Sequence, residues 1–252
     1  MNVILPTVRM KRQHTYDPVG ACIYCGKTDT PLTTEHIIPE SFGGTLLLPA
    51  ATCRPCAVET SAVEGRCAGQ LFRPARRELR LPQKNKKAKA KLGVETFDAT
   101  IDGVPVKLLQ QDFPTLLVSF EFDPPGIILR QPKTELFAGR IVINQLPTFA
   151  ERLGRLNAKH NISEGISLGN QGDGTDLARM LAKIGHGYAV AEMGLGSFRP
   201  FLTDIILNRP PMHIGYYVGG LFGHMPKGDT ATGRDRRPGC SARSSRKISP
   251  TR

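Results

Sequence analysis

The chain contains no tryptophan, and only 6% of its residues are aromatic. Few aromatics fit a loop-rich α+β chain better than a helical bundle. No apolar run approaches the ~18–20 residues needed to cross a bilayer. The opening stretch, MNVILPTVRMKRQH, holds a four-residue apolar patch whose charges follow it, with no small-residue cleavage site. No secretory signal and no membrane partner are therefore expected, and a cytoplasmic location is the default. In that compartment structural disulfides are not expected either. Acid is scarce as well: 22 Asp and Glu stand against 34 Lys and Arg, leaving a net charge of +12.

What is present is a 252-residue chain, long enough for one large or two modest domains. Hydrophobic residues make up 40%, enough for a real core, while 26 Gly and 20 Pro point to a turn-rich α+β chain rather than a helical bundle. The positive charge is concentrated. Residues 73–91 carry Arg73, Arg76, Arg77, Arg80, Lys84, Lys86, Lys87, Lys89 and Lys91 against Glu78, a balance of +8; residues 227–252 carry +6. The remainder of the chain is then −2, close to neutral. Two confined basic segments are what arms touching a polyanion require, although solvated linkers and tails also look like this.

The pattern divides the chain into a lead (1–20), a cysteine-bearing module (21–80), a basic linker (81–95), an α+β unit without a declared chemistry (96–222) and a disordered basic tail (223–252). In the second unit, Val104–Leu109, Leu116–Phe122 and Arg140–Ile143 read as strands, with another over Ile214–Val218. Pro147–Leu156, a segment capped by Asp176 and running to Glu192, and Phe198–Leu207 read as helices. His160, His186, His213 and His224 carry no partner motif and read as core or surface histidines.

Chemistry first shows in the cysteines. Cys22-x2-Cys25 and Cys53-x2-Cys56 are two pairs separated by 27 residues. Thiolates three apart reach one metal from a tight knuckle, and two knuckles complete a tetrahedral zinc. Four sulfurs leave no open position, so this zinc is structural. Cys67 lies too far along the following helix to share the ion and reads as a small buried side chain, and Cys240 as incidental.

Between the pairs, Leu32–Ile38 and Thr45–Leu48 are strand candidates around a Ser41-Phe42-Gly43-Gly44 loop. Arg54–Leu79 is helical, kinked or split near Pro74. CIYCGK, TTEHIIPESFGG and ATCRPC together resemble the HNH endonucleases, the ββα-metal family, and within it the subgroup running CxxC, EHIIPxxxGG, CxxC. The resemblance covers about residues 21–67. It implies a zinc-stapled ββα-metal (HNH) module at the N-terminus; with the second α+β domain and the basic tail read from the pattern above, the expected fold class is α+β. The resemblance also implies a nuclease in which His36 is the general base and Glu35 helps hold a catalytic divalent cation, Mg²⁺ or Mn²⁺.

The chemistry supports those roles. Phosphodiester hydrolysis needs a base for the attacking water, and histidine, with an ordinary pKa of about 6.5, serves near neutral pH. A hard cation on carboxylate oxygen neutralises the phosphate and the leaving oxygen. Consecutive strand residues face opposite ways, however, so Glu35 and His36 share one site only if the strand ends or bends there, as Pro39 allows.

The chain departs from the family pattern at Ala57, where Asn or His follows the last cysteine, and in PAATC, which offers neither before the second pair. Glu64, on the same helix face as Ala57, is a candidate substitute ligand, and its alternative is an ordinary surface ion pair. Two readings follow: a divalent-metal endonuclease, with DNA ahead of RNA as substrate, or a degenerate HNH scaffold that binds DNA without cutting. Arg73, Arg76, Arg77, Arg80, Lys84, Lys86 and Lys87 are the candidate nucleic-acid contacts in both. A zinc-bearing protein-interaction module is a third reading, and the oligomeric state stays open.

Overall fold

A computed structural model of the protein describes residues 12–81, 95–169 and 172–221. The chain opens with a two-residue bridge strand, β1 (His14–Thr15), followed by a loop carrying the first cysteine pair. β2 (Leu32–His36) runs to a 3₁₀ turn at Glu40–Phe42, and β3 (Leu46–Cys53) returns antiparallel to β2 and parallel to β1. The sheet order is β1-β3-β2. The turn explains both glycines of the motif. Gly43 closes it at φ 81°, a left-handed conformation that costs glycine little. A Cβ on Gly44 would sit 1.9 Å from the Ile38 carbonyl oxygen.

β3 passes directly into α1 (Arg54–Arg66), with Pro55 in its first turn. The expected single kinked helix is instead three pieces: α1, a π-helical turn over Cys67–Leu71, and α2 (Arg73–Glu78). The break falls at Phe72, ahead of Pro74, because Pro74 takes a first-turn position of α2, where its missing N–H costs nothing.

The later segments form two further small sheets. One has the order β5-β4-β8, from β4 (Thr96–Ile101), β5 (Val104–Leu109) and β8 (Ile166–Leu168). The other pairs β6 (Leu116–Phe122) with β7 (Gly139–Gln145), with the short α3 (Gly126–Leu129) between them. α4 (Phe149–His160) seats Leu156 on Phe97, Ala99, Leu108 and Phe113, a satellite core.

α5 (Gly174–Met193) is the longest helix among the described residues. Its N-cap is Asp173, whose carboxylate accepts from Thr175 N; Asp176, expected to be the cap, lies inside the first turn and pairs with Arg66. The expected Phe198–Leu207 helix shrinks to α6 (Thr203–Ile206), because Pro200 keeps its predecessor out of the helical region. The expected strand at Ile214–Val218 is a helical turn, α7 (Ile214–Tyr217), packed by Tyr216 against Gly126 of α3.

Residues 1–221 cluster as one unit. Its main core draws Ile23, Ile37, Leu48 and Val63 from the cysteine module and Leu177, Ala178, Met180, Ile205 and Ile206 from the later helices. The composition boundary near residues 81–95 therefore marks no boundary in the core: β2, β3 and α1 form too thin a layer to cover their own apolar face, and α5 covers it. The core of the linker (82–94) and the tail lie outside the described residues.

Candidate functional site

The four cysteines converge as their spacing implies. Gly26, at φ 76°, turns the first knuckle, and its N–H reaches back to Cys22 O at 2.8 Å. Cys53 ends β3 and Cys56 lies in the first turn of α1. Their sulfurs all lie within 4.8 Å of one another, and none is in a disulfide. Burial pushes the Cys22 thiol up, but hydrogen bonds from the backbone at Cys53, Tyr24 and Cys25 outweigh it and bring it down to about 7. Burial, then Cys53, pushes Cys56 well up. Sulfurs this close resist ionising together, and a dication at their centre removes that cost. The donor set fits structural zinc. No other such cluster of His, Cys, Asp and Glu exists among the described residues.

Glu35 and His36 close β2. In register, Glu35 lies opposite Leu48 and His36 opposite Leu47, so the pleat turns their side chains to opposite faces. Glu35 is 6% exposed and faces α1 and α5. His36 is half-buried, and no described residue engages its imidazole. The strand ends at His36, two residues before the end of the expected Leu32–Ile38 strand, and Pro39 caps the 3₁₀ turn that follows.

Every oxygen of Glu35 has a partner. Thr52 Oγ1 donates to Oε2 at 2.7 Å, and Lys183 Nζ lies 2.6 Å from Oε1. The same ammonium lies 2.8 Å from Glu64 Oε1 and donates to the carbonyls of His36 and Ile37. Glu64 approaches Glu35 from α1, across a lysine from α5. The Lys183 side chain is 3% exposed. The crevice beside it, lined by Thr60, Val63, Glu64, Arg179 and Met180, has no space for a water molecule. Two carboxylates against one ammonium leave a residual negative charge. Tyr24 registers it: burial, then Glu35 and Glu64, push its phenol far up.

Lys183 was not among the sequence candidates. The signal for it was present: it stands on the face of α5 shared by Leu177, Met180 and Gly187, where a lysine is out of place unless paired. Neighbouring ties hold α5 in position. Arg66 grips Asp176 with two bonds of 2.6 and 2.7 Å, and Arg179 donates to the carbonyls of Ile205 and Ile206. His186 Nε2 donates to Ile23 O at 2.7 Å, and burial pushes its pKa down. Glu59 stays exposed, as its helix position implied.

The basic candidates separate. Arg73 and Arg77 are paired with Glu95. Arg76 donates to Ser41 O and Ala68 O and stacks over Phe42, so it clamps the glycine turn to the π-turn. These three are committed internally, while Arg80 is exposed. Lys84, Lys86 and Lys87 lie outside the described residues. Elsewhere, a groove of about 620 Å³ between α4 and β8 is lined by residues such as Phe149, Leu153, Asn157 and Ile166. It contains no titratable side chain and offers no chemistry.

Comparison with known proteins agrees with the site. Residues 22–63 match the family described as HNH endonuclease. The protein YisB of Bacillus subtilis (strain 168), itself uncharacterized, is 41% identical over 44 residues, 18% of this chain; the chain spans 44% of YisB. No solved structure matches the chain. The segment that holds the four clustered cysteines thus resembles an HNH endonuclease, and the match covers that segment alone.

Proposed function

We propose that the protein is an HNH-type endonuclease that hydrolyses nucleic-acid phosphodiester bonds, DNA ahead of RNA, with His36 as the general base. One observation carries this reading: the Glu35–His36 pair closes β2 inside a four-cysteine ββα frame, with the His36 imidazole left free by the described residues. A half-buried, unengaged imidazole at a strand end can accept a proton from water attacking a phosphate laid against that end. Glu35 has a different part. Buried and bonded to Thr52 and Lys183, it anchors the strand end behind His36.

The catalytic cation that the family implies does not fit the arrangement described. Ala57 offers no ligand atom, Glu35 has no free oxygen, and the crevice at Glu64 has no room for water. Those observations favour the second reading, an HNH scaffold that holds nucleic acid without cutting it. In both readings the polyanion is met by the exposed Arg80, by Lys84, Lys86 and Lys87 of the linker and by the basic residues of 227–252, rather than by Arg73, Arg76 and Arg77.

Supercoiled plasmid incubated with the zinc-loaded protein and Mg²⁺ or Mn²⁺ separates the two. Nicking by the wild type that His36→Ala loses by ~100-fold or more supports the base. Equal nicking by both sinks it. Binding without nicking, falling steeply with salt as phosphate contacts release counterions, establishes the scaffold reading.

A further inference from the structure

β2 and α1 each supply a carboxylate, and a cation already stands between them. Glu35 Oε1 and Glu64 Oε1 lie 2.6 and 2.8 Å from one atom, Lys183 Nζ. That atom also meets two backbone carbonyls, those of His36 and Ile37, at the end of β2. Four oxygens around one positive centre, two of them carboxylate, form the kind of donor set that a hard metal ion uses. Here the protein's own ammonium takes it. The lysine cannot swing out freely. Its stem lies on the core face of α5, Gly187 one turn further packs on Ile37, and Arg66–Asp176 pins the start of the helix to α1.

We propose that Lys183 is the resident cation of the HNH site: it holds Glu35 and Glu64 together and keeps a divalent ion out while α5 is packed on α1. The proposal rests on the HNH reading of the Glu35–His36 pair, and Glu64 enters it through its contact with Lys183. It adds the regulation of that site, since a divalent ion reaches them only when Lys183 withdraws. The ion and the ammonium compete for the same oxygens. Removing the ammonium leaves two buried carboxylates facing each other, which attracts a dication strongly.

The test reads metal binding, not activity. The full-length zinc-loaded protein is titrated with Mn²⁺, and free Mn²⁺ is followed by electron paramagnetic resonance. Mn²⁺ prefers oxygen and leaves a thiolate zinc site alone. The expected result is no stoichiometric site in the wild type and one site in Lys183→Met, tighter by ~10-fold or more. Lys183→Met/Glu64→Gln should lose it again. A wild type that binds Mn²⁺ as tightly as Lys183→Met overturns the proposal. So does a folded, zinc-bearing Lys183→Met that gains no site. If Lys183→Met does not fold, Lys183→Gln takes its place, because its amide still donates to the His36 and Ile37 carbonyls. If neither folds, the wild type alone decides: a stoichiometric Mn²⁺ site abolished by Glu64→Gln overturns the proposal, and its absence upholds it. Plasmid nicking that depends on His36 is scored separately, so loss of the nuclease reading and loss of the lysine's role are told apart.

Discussion

Chelating the zinc should unfold more than the zinc knuckles, and Cys67 should report it. The four ligand sulfurs tie the loop before β2 to the β3–α1 junction. Zinc bound to such a set contributes ~10–16 kcal/mol. Whole domains are net stable by only ~5–15 kcal/mol. Losing the ion therefore removes as much as or more than the fold has to spare. Cys22, Cys53 and Cys56 also belong to the main core with Ile23, Ile37, Leu48 and Val63, so the damage spreads inward from the ligands. Cys67 is not a ligand. It is 1% exposed, and burial, then Asp176, push its thiol up to about 12, so it is inert in the folded protein. In a Cys240→Ser background, a disulfide reagent should find no reactive thiol in the zinc-loaded protein. After chelation it should find five, with Cys67 reacting at the rate of the four ligands. Far-UV circular dichroism should fall with the same time course. Four reactive thiols with Cys67 still protected and the spectrum unchanged would refute the reasoning, because the metal would then decorate a fold that stands without it.

Other outcomes follow from particular contacts. Glu78→Ala should cost about 3–5 kcal/mol in urea unfolding: it strands Arg152, 13% exposed, which Glu78 now meets at 2.5 Å, and it removes the acceptor of Thr148. Gly44→Ala should cost about 1–3 kcal/mol, since its Cβ must clear the Ile38 carbonyl; an unchanged melting temperature would mean the turn yields freely. His186 should make stability pH-dependent. Burial holds it below its ordinary 6.5, so the unfolded chain takes up its proton first, and stability is full above that value and falls as pH drops below it. His186→Gln should flatten the melting-temperature profile between about pH 7 and 5, and a parallel profile would discount the histidine.

The sequence was most legible where chemistry dictates spacing. Two CxxC pairs fixed a metal geometry, EHIIP and Gly43-Gly44 fixed the end of β2 and its turn, and the family match falls on the same residues. Strand alternation correctly warned that Glu35 and His36 face apart. Legibility failed where a residue's role depends on a partner that the local pattern does not show. Arg73, Arg76 and Arg77 read as a basic stripe, yet Glu95 and the carbonyls of Ser41 and Ala68 absorb them. Glu64 read as a surface charge or a metal ligand, and it meets a lysine instead. At Ile214–Val218, β-rich composition signalled a strand, but composition does not supply a neighbouring edge, and α7 forms.

The covering of β2 and α1 by α5 also bears on how the protein can be handled. The recognisable family segment stops at residue 63, one residue short of Glu64 and far from Lys183. A gene fragment trimmed to that signature would encode the zinc ligands and the Glu–His pair with Ile37, Leu48 and Val63 bare to water. A fragment built to keep this layer folded should therefore bring α5 along, or supply another apolar face for Ile37, Leu48 and Val63.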